Sequence, residues 1–413
     1  MTARAQVPYW TPAVDSPYSW LRLAITLVLG TIGSIGMWVA VVVLPAAQME
    51  FDVDRGGASL PYAATMIGFG LGNIIIGRFS DRIGITAPVI ASAVALFAGF
   101  LLAAQSTAIW QLTLAQGALI GIGTGGAFSP LIADLSHWFR KRRGLAVAAA
   151  ATGNYLSGAV WPTPVQMLVA TDGWRDAYEW IGLLCLVTMV PLALMLRRRP
   201  PRTMAADGTM QLAEEPLMQS PFSPRTLQWM LMLAGIGCCV AMSMPQVHIV
   251  SYCVDLGYGA APGAEMLSLM LAGGTISRLA TGFLADYIGG VRTLLIGSVL
   301  QGAALFFYLP FDSLGSLYIV SLMFGLAQGG LVPSYAIVVR EYMPAREAGS
   351  RIGIIMASTI LGMALGGWLS GEIYDLTGSY AAAFVNGIAW NALNLAIILT
   401  ILWRTQTPRT AAA

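Results

Sequence analysis

Twelve stretches of this 413-residue chain, each 17 to 29 residues long, carry no acidic or basic side chain apart from a single arginine. They span residues 23–48, 56–77, 87–104, 110–133, 144–171 and 180–196, then 226–254, 266–285, 293–310, 314–339, 352–371 and 380–402. An apolar helix of roughly 20 residues matches the hydrocarbon thickness of a bilayer. Backbone groups in lipid must be satisfied internally, so such stretches form helices. The expected fold is an all-α membrane protein of twelve transmembrane helices. Composition agrees: 57% of residues are hydrophobic and 10% charged, against about 25% charged in soluble domains. The boundary between the third and fourth stretches is the least marked, because only Gln105-Ser106-Thr107 divides them.

Basic residues fix the expected orientation. With the N-terminus placed inside and the loops alternating, 19 of the 22 basic residues fall inside. Arg55 and Arg175 fall outside, and Arg278 falls within a span. The positive-inside rule then puts both termini in the cytoplasm. The outer loops carry the acids Glu50, Asp52, Asp54, Asp172, Asp176 and Asp255. Residues 1–20 show no pattern of a cleaved signal peptide.

The chain repeats itself at an offset near 205. Gly77-Arg-Phe-Ser-Asp81-Arg82-Ile-Gly84 matches Gly282-Phe-Leu-Ala-Asp286-Tyr287-Ile-Gly289. Gly121, Gly125 and Gly126 match Gly325, Gly329 and Gly330, and Gly173 and Gly182 match Gly378 and Gly387. Two six-helix pseudo-repeat halves follow, 1–200 and 225–413, joined by a cytoplasmic linker at 201–224. The Gly77–Gly84 motif resembles the G-x-x-x-D-R-x-G loop of the major facilitator superfamily, and parallel six-helix halves are that family's fold. The resemblance implies a substrate site between the halves and a cytoplasmic gate built on Gly77, Asp81, Arg82 and Asp286.

A second motif is Trp138-Phe-Arg140-Lys-Arg142-Arg143-Gly-Leu-Ala146, followed by Ala150 and Gly153. It is similar to the start of the fifth helix in monocarboxylate transporters, Y-F-x-K-R-R-x-L-A-x-G-x-A-x-A-G, departing at Trp138, Ala148 and Thr152. Arg140, Arg142 and Arg143 join the expected gate. The acidic-Gly-Gly-aromatic run of that family's first helix is absent, and Ser19-Trp20-Leu21 stands there. This places the chain outside the animal-like branch, beside bacterial and oxalate:formate-type relatives.

Arg278 is the costly residue. A charge at mid-bilayer costs several kcal/mol and ordinarily faces a water-filled cavity. The resemblance implies that it binds a substrate carboxylate, which suits the planar donor fork of arginine. His248 lies in the preceding span, in Pro245-Gln-Val-His248-Ile-Val-Ser-Tyr252, as a substrate contact or proton carrier. Animal-type relatives carry an aspartate one turn before the arginine; here that position is Gly274. The oxalate:formate branch implies a second cation on the eleventh helix, and residues 352–371 carry none. One cation favours one carboxylate, so a lactate- or pyruvate-like acid is expected over a diacid. Asn154, Tyr155, Ser129 and Tyr335 are further candidates to line the cavity.

Other chemistries find no support. Gly121-Ile-Gly-Thr-Gly-Gly126 fits a dinucleotide pattern but lies mid-span, where small residues pack helices. No P-loop and no catalytic set is present, so gradients must supply the energy and no enzyme activity is expected. With only His137 and His248 as histidines, no metal spacing exists. The expected partners are the monocarboxylate, a proton and the lipid bilayer, with no cofactor and no nucleic acid. A monomer in the bacterial inner membrane is expected. The rivals are a carrier of another substrate class and a transporter-like receptor; the short segment after Trp403 speaks against the receptor.

Overall fold

A computed structural model describes residues 14–139, 142–198 and 221–406. Within these the chain is helical: α1 (Pro17–Gly33), α2 (Ile35–Phe51), α3 (Arg55–Ile83), α4 (Thr86–Ala104), α5 (Ile109–Ala115), a π-helical turn (Gln116–Gly121), α6 (Ile122–Gly126), α7 (Ser129–Ser136), α8 (Arg143–Ala151), α9 (Gly153–Val160), α10 (Pro162–Asp172) and α11 (Trp174–Met195). A second set follows: α12 (Pro224–Asp255), α13 (Ala260–Ile288), α14 (Gly290–Phe307), α15 (Leu314–Gln328), α16 (Leu331–Tyr342), α17 (Ala345–Thr377) and α18 (Tyr380–Gln406).

Eleven crossings among the described residues are long and apolar enough to span a bilayer. The remaining crossing, the fifth in chain order and expected at 144–171, is α8, α9 and α10 in succession. It breaks at Thr152 and again at Trp161-Pro162, where proline cannot continue the hydrogen-bond ladder. The first crossing also bends, at Ser34 between α1 and α2. The weakly marked boundary at 105–108 is a true turn between α4 and α5.

The sequence repeat has a structural cause. Gly84 (φ 88°) and Gly289 (φ 82°) end α3 and α13, and Gly173 (φ 90°) and Gly378 (φ 67°) end α10 and α17. Each takes a positive φ that side chains disfavour. The glycines at 121 and 125 and their counterparts serve a different purpose. A Cβ on Gly121 would lie 2.6 Å from the Thr65 carbonyl, and one on Gly325 2.0 Å from that of Met270. Gly125 meets the Phe69 carbonyl, and Gly329 that of Gly274, in the same way. Each set thus brings two helices into backbone contact through equivalent residues, the small-residue packing that membrane helices use.

Two seams join the sets, and both open in one direction. Along α3 and α17, a Cβ on Gly371 would touch the Arg55 backbone at 2.8 Å and one on Gly367 the Tyr62 ring at 2.9 Å. Further along, a Cβ on Gly70 reaches Ile360 only at 3.5 Å, and Gly77 and Gly353 face open space. The seam between α9 and α10 and α13 behaves alike. Thr163 bonds Ser268 at 3.3 Å, Gly158 and Gly274 abut Leu271 and Tyr155, and Gly282 faces open space. The halves are zipped at the Arg55 end and apart at the Arg82 end.

Candidate functional site

The zipped end is held by charge. Asp54 caps α3 by accepting from the Gly57 N–H at 2.7 Å, which sets Arg55 at the first helical position. The Arg55 guanidinium donates to both carboxylate oxygens of Asp255 at 3.1 and 3.2 Å and to the Tyr380 hydroxyl at 2.6 Å. It stacks 4.6 Å from the Tyr374 ring. Asp375 accepts from the Arg55 and Gly56 N–H groups at 2.9 and 2.6 Å, an anion at the positive end of α3. The other arginine expected on this side, Arg175, pairs with Glu50 within the first set.

His248 belongs to this latch. It is fully buried, with Nε2 2.8 Å from the Gly367 carbonyl and Nδ1 3.1 Å from the Tyr380 hydroxyl. A carbonyl only accepts, so Nε2 carries the proton and the tyrosine donates to Nδ1. His248 thus extends a chain from Asp255 through Arg55 and Tyr380, and it lies outside the central cavity.

That cavity, about 270 Å³, lies between the two sets beyond the latch. Arg278 is the one charged residue among those lining it. Its Nη1 donates to the Ala151 carbonyl at 2.8 Å and its Nε to that of Gly329 at 3.2 Å. Ala151 ends α8 at the Thr152 break, and Gly329 follows the last residue of α15. Both carbonyls are helix-end groups left without an intrahelical partner, at the negative ends of their dipoles. The guanidinium also lies 4.1 Å over the Tyr155 ring, an attraction that grows when desolvated. Two helix breaks and a ring therefore tolerate this charge, and among the described residues no carboxylate stands within ion-pair distance. The space that a side chain at Gly274 would take is filled by Tyr155, 2.5 Å from the would-be Cβ. The tyrosine occupies the room of the acid that the animal-type pattern places there.

The remaining sequence candidates divide. Asn154 and Tyr155 line the cavity with Arg278. Ser129 is exposed and lines a neighbouring groove between α3 and α17. Tyr335 is buried in the core of the second set, donating to Asn394 at 2.8 Å, and does not line the cavity. At the open end, Gly77 faces empty space, and Arg82 is exposed beside Arg78. Arg142 is exposed 5.9 Å from the Trp20 ring. Asp286 is exposed near Arg292, where Glu341 rather than Asp286 accepts from the Gly290 N–H at 2.9 Å to cap α14. Arg140 and the side chains of Asp81 and Arg143 lie outside the described residues.

Sequence reasoning passed over Arg55 and its partners Asp255, Asp375 and Tyr380, which lie 200 to 325 positions from it. A signal existed: Arg55 was one of two basic residues on an otherwise acidic side. It also passed over Arg22, fully buried, which pairs with Asp134 at 2.7 Å and packs 4.5 Å from the Trp138 ring.

Comparison with known proteins fits this architecture. The Major Facilitator Superfamily model matches residues 26–309 and 263–413. Monocarboxylate transporter 13 of Bos taurus is 28% identical over 91% of this chain and 86% of its own length. The agnestins efflux protein AgnL12 of Paecilomyces divaricatus is 25% identical over 79% of this chain and 74% of its own. A bacterial homologue of the human lysosomal transporter Spinster, solved inward-facing and unoccupied, superposes with a TM-score of 0.73 at 14% identity, covering 95% of this chain and 99% of that one. The chain is a multi-pass membrane protein of the Major Facilitator Superfamily, and within it resembles the monocarboxylate transporters.

Proposed function

We propose that this protein is a secondary carrier of small monocarboxylates that works by alternating access, with Arg278 as the carboxylate site. The observation that carries this reading is a lone cation in the inter-set cavity, held by carbonyls and a ring and left without a carboxylate. Two of the five guanidinium N–H groups meet those carbonyls, Tyr155 also engages the guanidinium, and the remaining donors are open to a ligand. A single cation selects a single carboxylate. A cavity of about 270 Å³ falls just below the ~300–1,000 Å³ of drug-sized ligand sites. Gradients of protons or counter-anions supply the energy. The Arg55 latch closes one face while the other stands open; the arginine-rich loops support a reading in which the open face is cytoplasmic in a bacterial inner membrane. Opening the other face requires the Arg55–Asp255 pair to part. The gate roles of Asp81, Arg82 and the Arg140–Arg143 cluster belong to that second state, in which the open end closes.

The test is uptake of labelled lactate, pyruvate and oxalate into proteoliposomes, with and without an inward proton gradient, for wild type and Arg278→Ala. Monoacid accumulation that follows the proton gradient and vanishes in the variant supports proton symport. Uptake that needs internal anion makes it an exchanger. Undiminished uptake by Arg278→Ala makes the arginine a structural anchor between helix ends. That outcome favours the second reading, a facilitator carrier for another class of organic molecule, which the resemblance to AgnL12 keeps in view.

A further inference from the structure

Arg278 gives a carboxylate its place, and the rest of the substrate must lie against the other walls. Five methionines, Met37, Met66, Met242, Met356 and Met363, line the cavity. Methionine is unbranched and polarisable, so such a wall accommodates varied apolar shapes. That wall offers no strong hydrogen bond to a hydroxy or keto group; the polar part of the lining is Asn154, Gln246 and Thr359. Two of the lining residues, Met356 and Ile360, also line a second cavity of about 450 Å³ between α3 and α17. Its other walls include Ile67, Leu71, Ile74 and Leu361, which are 53, 48, 48 and 54% exposed within the apolar spans. Among the described residues, no charged side chain lines it. A Cβ added at Gly70 would meet Ile360 across this seam only at ordinary van der Waals distance, 3.5 Å, and the seam widens beyond them.

A cation at the head and an uncharged, apolar groove leading away describe an amphipathic anion. We propose that the substrate is a monocarboxylate with an extended apolar tail of several carbons. Its head lies at Arg278, and its tail passes Met356 and Ile360 into the groove between α3 and α17. This proposal rests on the monocarboxylate reading and adds the chemistry of the tail. Gly70 is then a specificity-determining position, because the tail runs past its missing side chain.

The experiment is displacement of labelled butyrate from the full-length protein in lipid nanodiscs by unbranched acids from acetate to decanoate, with lactate alongside. Wild type, Gly70→Leu and Ile360→Ala are compared in the same lipid, so that partitioning of the acids into the bilayer cancels. Burying one methylene is worth ~0.8 kcal/mol, about fourfold in affinity. Wild-type affinity is expected to rise by about that factor per carbon from butyrate to octanoate. Gly70→Leu should level the series beyond butyrate while changing butyrate itself less than about twofold. Ile360→Ala should weaken octanoate about tenfold more than butyrate. It keeps the test valid if the bulkier variant fails to fold. A flat series, lactate binding as tightly as octanoate, or the same slope in wild type and both variants overturns the proposal, as when a bilayer lipid tail fills the groove instead. Any of these leaves the carboxylate reading standing. If octanamide displaces as well as octanoate, the carboxylate reading itself fails.

Discussion

Asp255→Asn should release the latch that closes the Arg55 end. In the closed arrangement the Asp255 carboxylate takes two charge-assisted hydrogen bonds from Arg55. The Arg55 side chain is 9% exposed and that of Asp255 26%. Hydrogen bonds to charged groups contribute about 1.5–3 kcal/mol each. Asparagine retains one neutral acceptor, Tyr380 and the Tyr374 ring still hold the guanidinium, and partial solvent access discounts the remainder. A net loss of roughly 2 kcal/mol corresponds to about a 30-fold shift toward the state with this face open. A protein closed about 99% of the time would become closed only about three quarters of the time. Spin labels at Met49→Cys and Leu376→Cys, positions 77 and 85% exposed on opposite sets, report the separation by double electron–electron resonance in nanodiscs. The four native cysteines are free and buried, so they leave the labelling selective. Asp255→Asn should add a longer distance that wild type and Asp255→Glu lack. Identical distributions in wild type and Asp255→Asn would refute the latch.

Three other substitutions separate roles that the fold brings close together. Gly329→Ala should destabilise by at least the ~1–3 kcal/mol of an overpacked site, read as a lower melting temperature, because its Cβ would lie 2.0 Å from the Gly274 carbonyl; a stable, active variant would show that α13 and α15 do not pack in backbone contact. Arg22→Met should cost about 3–5 kcal/mol by stranding Asp134, and the pair Arg22→Met with Asp134→Leu should recover most of it in thermal unfolding. Equal losses in the single and double variants would mean that Arg22 matters for packing on Trp138 rather than for charge. His248→Phe should leave the buried Tyr380 hydroxyl without its acceptor and destabilise by about 1–3 kcal/mol, yet keep carboxylate affinity within about threefold. A tenfold weaker Kd at unchanged melting temperature would return His248 to the substrate site.

How much was legible in the sequence follows from which interactions are local. The crossings were readable because hydrocarbon thickness imposes length and apolarity residue by residue. The repeat was readable because equivalent glycines answer the same local demands, a positive φ at Gly84 and Gly289 and a facing carbonyl at Gly121 and Gly325. The break of the fifth crossing at Trp161-Pro162 was visible as a proline. The break at Thr152, which no proline marks, leaves free the Ala151 carbonyl that meets Arg278. Arg278 itself stood out because a lone charge in an apolar stretch is costly wherever it faces. Its surroundings were hidden, since Ala151, Tyr155 and Gly329 come from three helices in two sets. Pairing His248 with Arg278 from their adjacent spans misjudged direction along the membrane: His248 sits toward the Arg55 end, beside Tyr380. The latch was the least legible part, because Arg55, Asp255, Asp375 and Tyr380 acquire meaning only when the two sets meet.

The central claim is that Arg278 recognises a carboxylate, and binding at fixed shape tests it most directly. Isothermal calorimetry would compare hexanoate with hexanamide on wild type and Arg278→Gln in the same nanodiscs. Wild type should prefer the acid by about 100-fold, the ~2.7 kcal/mol of a charge-assisted contact. Arg278→Gln should bind the two ligands within about threefold of each other. An undiminished preference for the acid in Arg278→Gln, or none in wild type, would contradict the claim.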